Sequence, residues 1–314
     1  MYGERHGETI QTEVKLGHLL YRTGRREEGR RLMAQAAAKA VPGSDVPDFV
    51  VAVVAGIRGI ASLAEGDLDA ATPLVALDVA DVRANYPASA PLATALVTQA
   101  GLWSARGRYD EALALIDEAA AIELKVTPGA EAARMNGYHL DRAAILVAAG
   151  RPWEALAALD RVVPPRFAQD LPLSPQDVQR RIVASGALLA LRRTDDAAEQ
   201  ARAALALVEA APTRGYYPTL EADAAGRLGS ALLPRGNAAD ARRALERAQA
   251  LRANLDVPSS PWLADARLAL AACLRSLGEP AQATALERSA LAATAQRPLG
   301  PHFRVAGLAG AARR

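Results

Sequence analysis

The sequence predicts an all-α protein, built as a solenoid of about seven helical hairpins. Three observations indicate this: a turn recurs every 41 to 43 residues, small residues occupy two fixed positions around it, and prolines gather between the units. Hydrophobic residues make up 51% of the chain but aromatic residues only 4%. The core must therefore consist mainly of Ala, Leu and Val, which suits closely spaced helices.

The repeat is anchored by a turn residue, usually glycine, between two apolar helices. The stretch GRYDEALALIDEAAAI at residues 107–122 has six further counterparts in the chain. The steps between the anchors are 42, 41, 43, 43, 43 and 42 residues, and such regular self-similarity is typical of a solenoid. The seven anchors are Gly24, Gly66, Gly107, Gly150, Arg193, Gly236 and Gly278.

Two columns of small residues accompany the anchors. Five residues after the anchors stand Gly29, Ala71, Ala112, Ala155, Ala198, Ala241 and Ala283. Seven residues before them stand Gly17, Gly59, Ala100, Ala143, Gly186, Gly229 and Ala271. Small side chains let two antiparallel helices approach closely, so these columns predict where the two helices of each hairpin cross.

Proline marks the boundaries of the units. Thirteen of the 19 prolines fall between predicted units, where they interrupt no helix. Pro73 and Pro234 lie inside predicted helices, and each predicts a kink or an early helix end. The solenoid is thus assigned to residues 1–297, and residues 298–314 form a C-terminal tail or cap. Residues 164–175, PPRFAQDLPLSP, are the longest stretch without helix signals and predict a binding loop or a hinge.

Composition argues against most kinds of chemistry. The single cysteine, Cys273, excludes an internal disulfide framework, falls in an apolar helix and predicts a buried thiol in a cytoplasmic protein. No apolar run is long enough to cross a bilayer. The four histidines have no partner at helical spacing, and no phosphate loop or nucleophile elbow occurs. We therefore expect no enzymatic activity, no cofactor and no metal.

Arginine pairs such as those at 25–26 and 180–181 raise the question of nucleic-acid binding. Acidic residues stand close to most of the arginine clusters, the net charge is only +2, and no aromatic series interleaves with them for base stacking. These features favour solvated outer helix faces over a nucleic-acid surface. A nucleic-acid regulator stays open as an alternative, which the salt dependence of binding would decide.

The turn motifs resemble a known family. Gly107-Arg108-Tyr109-Asp110-Glu111-Ala112, with Trp103 before it and Ala119 after it, is similar to the centre of a tetratricopeptide repeat. Gly24 to Gly29 and Gly150 to Ala155 resemble it in turn. The long step resembles the variant of about 42 residues that occurs in kinesin light chains and many bacterial signalling proteins. Gly3 to Thr9 is similar to the connector of that variant, with Gly7 in place of proline.

The resemblance implies a right-handed αα superhelix that binds a protein or peptide partner as a scaffold or sensor. Similar arrays often follow a catalytic or DNA-binding domain. The alternative is therefore the regulatory C-terminal region of a bacterial serine/threonine kinase or of a transcriptional regulator. Because a connector stands at the very start, we expect the chain to be the C-terminal part of a longer protein.

In such a superhelix the first helices line the concave face, at ten, six and three positions before each anchor. These positions are mostly small and apolar, which favours an apolar segment or amphipathic helix as the ligand. The sequence predicts no particular oligomeric state. One alternative is ordinary packing in a tightly closed superhelix. For the polar cluster of Lys15, His18, Tyr21 and Arg22 at the N-terminal end, the alternatives are a face that an upstream unit covers and a solvated helix end. The predicted partner-binding residues are Lys15, His18, Tyr21, Arg22, Ile60, Leu63, Val97, Leu140, Val147 and Val183.

Overall fold

A computed structural model of the chain describes residues 3, 6–127, 132–163, 174–211 and 217–294. The described residues form fourteen α-helices and one short 3₁₀ turn, and they contain no strand. The all-α prediction is confirmed. The tail at 298–314 and residues 164–173 of the predicted loop lie outside the described residues.

Consecutive helices pair as seven hairpins. Hairpins one to four are α1 (Gly7–Arg22) with α2 (Arg26–Lys39), α3 (Asp48–Ala64) with α4 (Leu68–Asn85), α5 (Ala90–Ala105) with α6 (Tyr109–Val126), and α7 (Ala132–Ala148) with α8 (Pro152–Leu159). Hairpins five to seven are α9 (Pro175–Ala190) with α10 (Thr194–Ala210), α11 (Pro218–Leu232) with α12 (Ala238–Leu255), and α13 (Pro261–Ser276) with α14 (Pro280–Thr294).

Each hairpin turns at one residue with left-handed backbone geometry. Six of the seven predicted anchors are these residues, all glycines, with φ between 73° and 93°. The N–H of the residue after the anchor donates to the carbonyl of the residue four positions before the anchor. At the anchor Gly107, the Arg108 N–H donates to the Trp103 carbonyl at 2.8 Å. This bond satisfies a carbonyl that the helix end would leave unpaired, and glycine adopts the required φ without steric cost.

The fifth anchor is Arg192, and the prediction of Arg193 is wrong by one residue. Arg192 has a φ of 60°, and the N–H of Arg193 donates to Leu188 at 2.9 Å. Neither Arg192 nor Arg193 is a glycine, so the sequence offers no turn signal here, and the regular step of 43 residues predicts Arg193 instead of Arg192. The steps on either side are in fact 42 and 44 residues.

The predicted crossing residues are buried in every hairpin. At the crossing of hairpin one, a Cβ on Gly29 would lie 2.5 Å from the carbonyl oxygen of Gly17. In hairpin five the corrected register pairs Ser185 with Ala197, both fully buried, and the Ser185 hydroxyl donates to the Ala197 carbonyl at 2.8 Å. The predicted partner Gly186 faces Val147 and Arg227 instead. The rule of Gly or Ala at every crossing therefore has one exception, which a hydrogen bond compensates.

One helix is much shorter than predicted. The helix α8 ends at Leu159 after eight residues, whereas its counterparts have 14 to 18. Pro164 follows closely, and a proline disfavours helical geometry in the residue before it. The buried Asn136 of α7 then holds Val163, because its amide donates to the Val163 carbonyl at 2.8 Å and accepts from the Val163 N–H at 2.9 Å.

Three details predicted from the sequence have counterparts in the structure. The helix α11 ends at Leu232, and a 3₁₀ turn over Leu233–Arg235 contains Pro234, so the early helix end there is confirmed. The helix α4 continues through Pro73 to Asn85. Cys273 is fully buried, which confirms the predicted buried thiol.

The superhelix closes on itself at a contact that we call the seam. The turn of hairpin two meets the connection between α12 and α13: the Val257 N–H donates to the Glu65 carbonyl at 2.9 Å. Arg26 of hairpin one donates to the Leu255 carbonyl, also at 2.9 Å. A Cβ on Gly66 would lie 2.9 Å from the Cα of Ser260. Hairpins one and two therefore contact the far end of the array.

Candidate functional site

Closure of the superhelix forms a cavity of about 500 Å³ on its inner face, which we call the first cavity. Its walls come from α1 and the first turn, from α3, and from the start of α11. The described lining residues are His18, Leu19, Tyr21, Arg22, Thr23, Gly24, Arg26, Ile60, Ala61, Ala64, Tyr217, Pro218, Thr219 and Leu220. Residues almost two hundred positions apart thus share one site.

The charged groups of the first cavity are basic. They are Arg22, Arg26 and the titratable His18, and none of the described lining residues is acidic. Arg26 already donates to Leu255 and lies over the Tyr21 ring at 4.3 Å. Arg22 is exposed and has no hydrogen bond or ion pair to any described residue. Arg22 is therefore the cation that a ligand can reach without breaking an existing contact.

Burial shifts the pKa values of His18 and Tyr21 in this cavity in the direction that favours their uncharged forms. Desolvation lowers the pKa of His18, and the positive charge of Arg22 lowers it further. Desolvation raises the pKa of Tyr21, and Glu65 adds to this increase. The positive charge of the cavity consequently comes from the two arginines.

The rest of the first cavity is apolar. Leu19 is 58% exposed, which is unusual for a large aliphatic side chain. Ile60 and Leu220 are only partly buried and line the same cavity, from α3 and α11. An apolar wall beside an unpaired cation is the arrangement expected of a ligand site rather than of a core.

A second cavity of about 330 Å³ lies between α7, α9, α11, α12 and α13. Leu220 lines both cavities, so they adjoin along the inner face. The charged residues of the second cavity are Asp223, Arg227, Arg252 and Asp265, beside Trp262. The prediction of an apolar groove is therefore wrong for this part of the inner face. The sequence missed these charges because they lie nine, 13 and 16 positions from the anchors, whereas the prediction used only the positions ten, six and three before them.

Arg252 organises part of this charge. Its side chain is 6% exposed and forms ion pairs with Asp223 and with Asp256, whose carboxyl also accepts from Ser260 at 2.9 Å. Burial alone would lower the pKa of Arg252, but the two carboxylates outweigh burial and raise it. This network is continuous with the seam, since Ser260 is the residue that faces Gly66.

Asp265 and Arg227 line the second cavity without such partners. Neither the Asp265 side chain nor the Arg227 side chain has a hydrogen bond or an ion pair to any residue that the structure describes. Desolvation raises the pKa of Asp265, Arg227 counteracts this increase, and Asp223 adds to it. The two side chains lie within electrostatic range of each other but do not pair.

The structure divides the ten predicted binding residues into three groups. His18, Tyr21, Arg22 and Ile60 line the first cavity, and Val147 and Val183 line the second. Leu63 and Val97 pack, partly buried, against the core of hairpins two and three. Leu140 is 1% exposed in the core, and Lys15 is exposed and bonded to Gln11. Val183 lies nine rather than ten positions before the true anchor Arg192.

Sequence reasoning missed the wall that α11 supplies, Tyr217 to Leu220, and the residues of the seam. The repeat period predicts which residues face inward within one hairpin. It carries no information on how far the superhelix turns per unit, and this turn decides which distant hairpins meet.

Among the described residues, no three His, Cys, Asp or Glu side chains lie close enough together to hold a metal ion. No helix in the described part of the chain combines the length and the apolar character needed to cross a membrane.

Comparison with known proteins supports the repeat. Residues 220–296, which contain hairpins six and seven, match the family model described as tetratricopeptide repeat. No curated protein matches the chain in sequence.

Solved structures resemble nearly the whole chain. A Rap protein complexed with competence and sporulation factor has a TM-score of 0.64 at 11% identity, over 92% of this chain and 77% of that chain. NprR in complex with its cognate peptide NprX has a TM-score of 0.56 at 12% identity, over 95% and 81%. The Rap conjugation gene regulator of plasmid pLS20, with the Phr* peptide, has 0.54 at 12%, over 92% and 75%. At these identities the likeness shows a shared fold.

Proposed function

We propose that this chain, which is a tetratricopeptide repeat protein, binds a peptide or protein segment inside its superhelix and acts as a scaffold or sensor. The observation that carries the proposal is the first cavity, where an apolar wall and an unpaired arginine face the same space. Apolar cavities with a few convergent polar groups are the usual form of ligand sites.

The structures that share the fold support the same kind of ligand. NprR and the Rap regulator of pLS20 are both complexes with peptides, and each resembles more than nine-tenths of this chain.

Within this proposal, His18, Tyr21, Arg22 and Ile60 contact the ligand in the first cavity, and Val147 and Val183 contact it in the second. Leu63, Val97 and Leu140 support these surfaces from the core. Lys15 lies outside the residues that line the two cavities and contributes a positive charge on α1, the helix that also carries His18 and Arg22.

The proposed work is recognition without bond chemistry, in the cytoplasm. A link to a kinase or to a DNA-binding domain stays a prediction from the resemblance, and the complete reading frame would test it.

The direct test is a selection of displayed random peptides against the purified chain, followed by affinity measurements on the enriched peptides. We compare the wild type with Ile60→Trp, which fills the first cavity, and with Leu124→Trp, which adds the same ring at an exposed site on α6. We expect enriched peptides to bind the wild type and Leu124→Trp equally and Ile60→Trp at least about tenfold more weakly. Absence of enrichment, or equal binding to all three proteins, contradicts the proposal.

A further inference from the structure

We propose that the inner face selects a charge-polarised peptide segment, with an acidic group in the first cavity, a basic group in the second cavity and an apolar residue between them at Leu220. This inference rests on the proposed function and specifies the chemistry of its ligand. Either group belongs to a side chain or to a free end of the peptide.

The acidic group is assigned by the unpaired charge of the first cavity. Arg22 and Arg26 line it, and no described lining residue is acidic. Arg26 is held by Leu255 and Tyr21, so Arg22 is the cation free to form an ion pair with a ligand. A carboxylate there would form a charge-assisted hydrogen bond, the strongest kind that a guanidinium makes.

The basic group is assigned by the balance of charge around the second cavity. Three carboxylates, Asp223, Asp256 and Asp265, lie near two guanidinium groups, Arg227 and Arg252; Asp256 is buried beside Arg252 outside the cavity lining, and the other four line the cavity. Arg252 is held by the first two carboxylates, as its ion pairs show. Asp265 is half-buried, its carboxylate has no hydrogen bond to the described residues, and desolvation raises its pKa.

An unpaired carboxylate beside a cavity is costly unless a cation or water replaces its lost hydration. Arg227 is the nearest candidate, but its guanidinium packs against the backbone of Gly186, where a Cβ would lie 3.2 Å from the Arg227 Cζ. A ligand ammonium or guanidinium would satisfy Asp265 directly. The Trp262 ring lines the same cavity, but the Arg252 guanidinium already lies over it at 5.9 Å from the ring centre, so Asp265 is the group that a ligand cation would meet.

The two cavities are placed to read one segment. Leu220 is shared by both linings, so a ligand that fills one cavity reaches the other past a single aliphatic side chain. Opposite charges at the two ends fix the direction in which the segment lies, because the reversed direction places like charges together. We therefore expect charge order to decide specificity.

The test uses the peptides enriched from the random library, synthesised with free ends and with blocked ends. We expect them to share one acidic and one basic group on either side of an apolar residue. Blocked ends abolish binding if the chain ends supply the charges and leave it unchanged if side chains do. Exchanging the acidic and basic groups should weaken binding by about tenfold or more.

Two variants assign each charge to its cavity. Asp265→Asn should lower the affinity for the parent peptide by about tenfold but leave unchanged the affinity for a peptide whose basic group is replaced by a neutral one. Arg22→Gln should do the same for the acidic group. The matched controls, Asp45→Asn and Arg31→Gln, change the same charges at exposed sites outside both cavities and should bind as the wild type does. Melting temperatures confirm that all four variants are folded.

Enriched peptides without a common charge order would overturn this inference and leave the proposed function intact. The same holds if Asp265→Asn and Arg22→Gln bind no differently from their controls. Failure to enrich any peptide would overturn the proposed function, and this inference with it.

Discussion

At the scale of single residues, the fold depends on small side chains at crossings and on left-handed turn residues. Arg192 departs from this pattern, because the other six turns use glycine at the equivalent position. A side chain in the left-handed region costs roughly 1 kcal/mol, since its Cβ approaches the following carbonyl oxygen. The turn of hairpin five is therefore strained relative to the others.

We predict that Arg192→Gly stabilises the protein by about 0.5–1 kcal/mol, because glycine relieves this strain. Urea denaturation would measure the change. Arg193→Gly is the matched control: Arg193 has a φ of −83° and pairs with Asp196, so its replacement should stabilise nothing. A larger stabilisation from Arg193→Gly would restore the register expected from the sequence.

Asp78 is a second residue with a measurable consequence. Burial, with help from Asp81, raises the pKa of Asp78 to about 6, and a Cβ on Gly56 would clash with its carboxyl. The unfolded pKa is about 3.9, so the folded state binds more protons between about pH 4 and 6. Stability should therefore fall as the pH rises through this window and stay reduced above it.

We predict that Asp78→Asn raises stability at pH 7.5 by about 1–2 kcal/mol and flattens the pH dependence between 4 and 6. The exposed Asp45→Asn serves as the control and should change neither. Thermal denaturation across this pH range would decide. A decrease in stability at pH 7.5 specific to Asp78→Asn would show that the carboxylate is stabilising.

At the scale of helices, most of the architecture was predictable. The anchors and the crossing columns depend on local backbone chemistry, so they placed six turns and twelve of the fourteen crossing residues correctly. Two features were not predicted correctly. The turn of hairpin five lies one residue earlier than predicted, since two arginines stand where the other turns have a glycine, and α8 is shorter than predicted. The end of α8 depends on a tertiary bond from Asn136, and a polar residue inside a helix pattern gives no sign of its distant partner.

We predict that Asn136→Ala destabilises the protein by about 1–3 kcal/mol, because the Val163 N–H and carbonyl lose their only partner among the described residues. Asn85→Ala removes an exposed asparagine bonded to Asp81 within its own helix and should have a much smaller effect. Chemical denaturation compares the two. Equal effects would mean that Asn136 does not hold the segment after α8.

At the scale of the whole molecule, closure of the superhelix creates the cavity on which the proposed function rests. The first cavity exists because hairpins one and two lie close to the start of α11. At the seam, the turn of hairpin two contacts the connection between α12 and α13. Four predicted binding residues line this cavity, but its opposite wall was not predictable. The superhelical turn per unit results from small displacements at each interface, summed over five hairpins, and no single residue encodes it.

Gly66 allows closure to be tested without altering the hairpins. Gly66 and Gly107 have φ values of 73° and 77° at equivalent turns, so alanine strains both equally. Only Gly66 faces another part of the chain, Ser260, whereas a Cβ on Gly107 meets nothing within 4 Å. Any difference between the two alanine variants therefore reports the seam.

The most direct measurement is hydrogen exchange at the Val257 amide, which donates to Glu65 across the seam. We predict that Gly66→Ala accelerates its exchange at least about tenfold and weakens peptide binding, whereas Gly107→Ala changes neither. Equal exchange of Val257 in the two variants would contradict a closed superhelix.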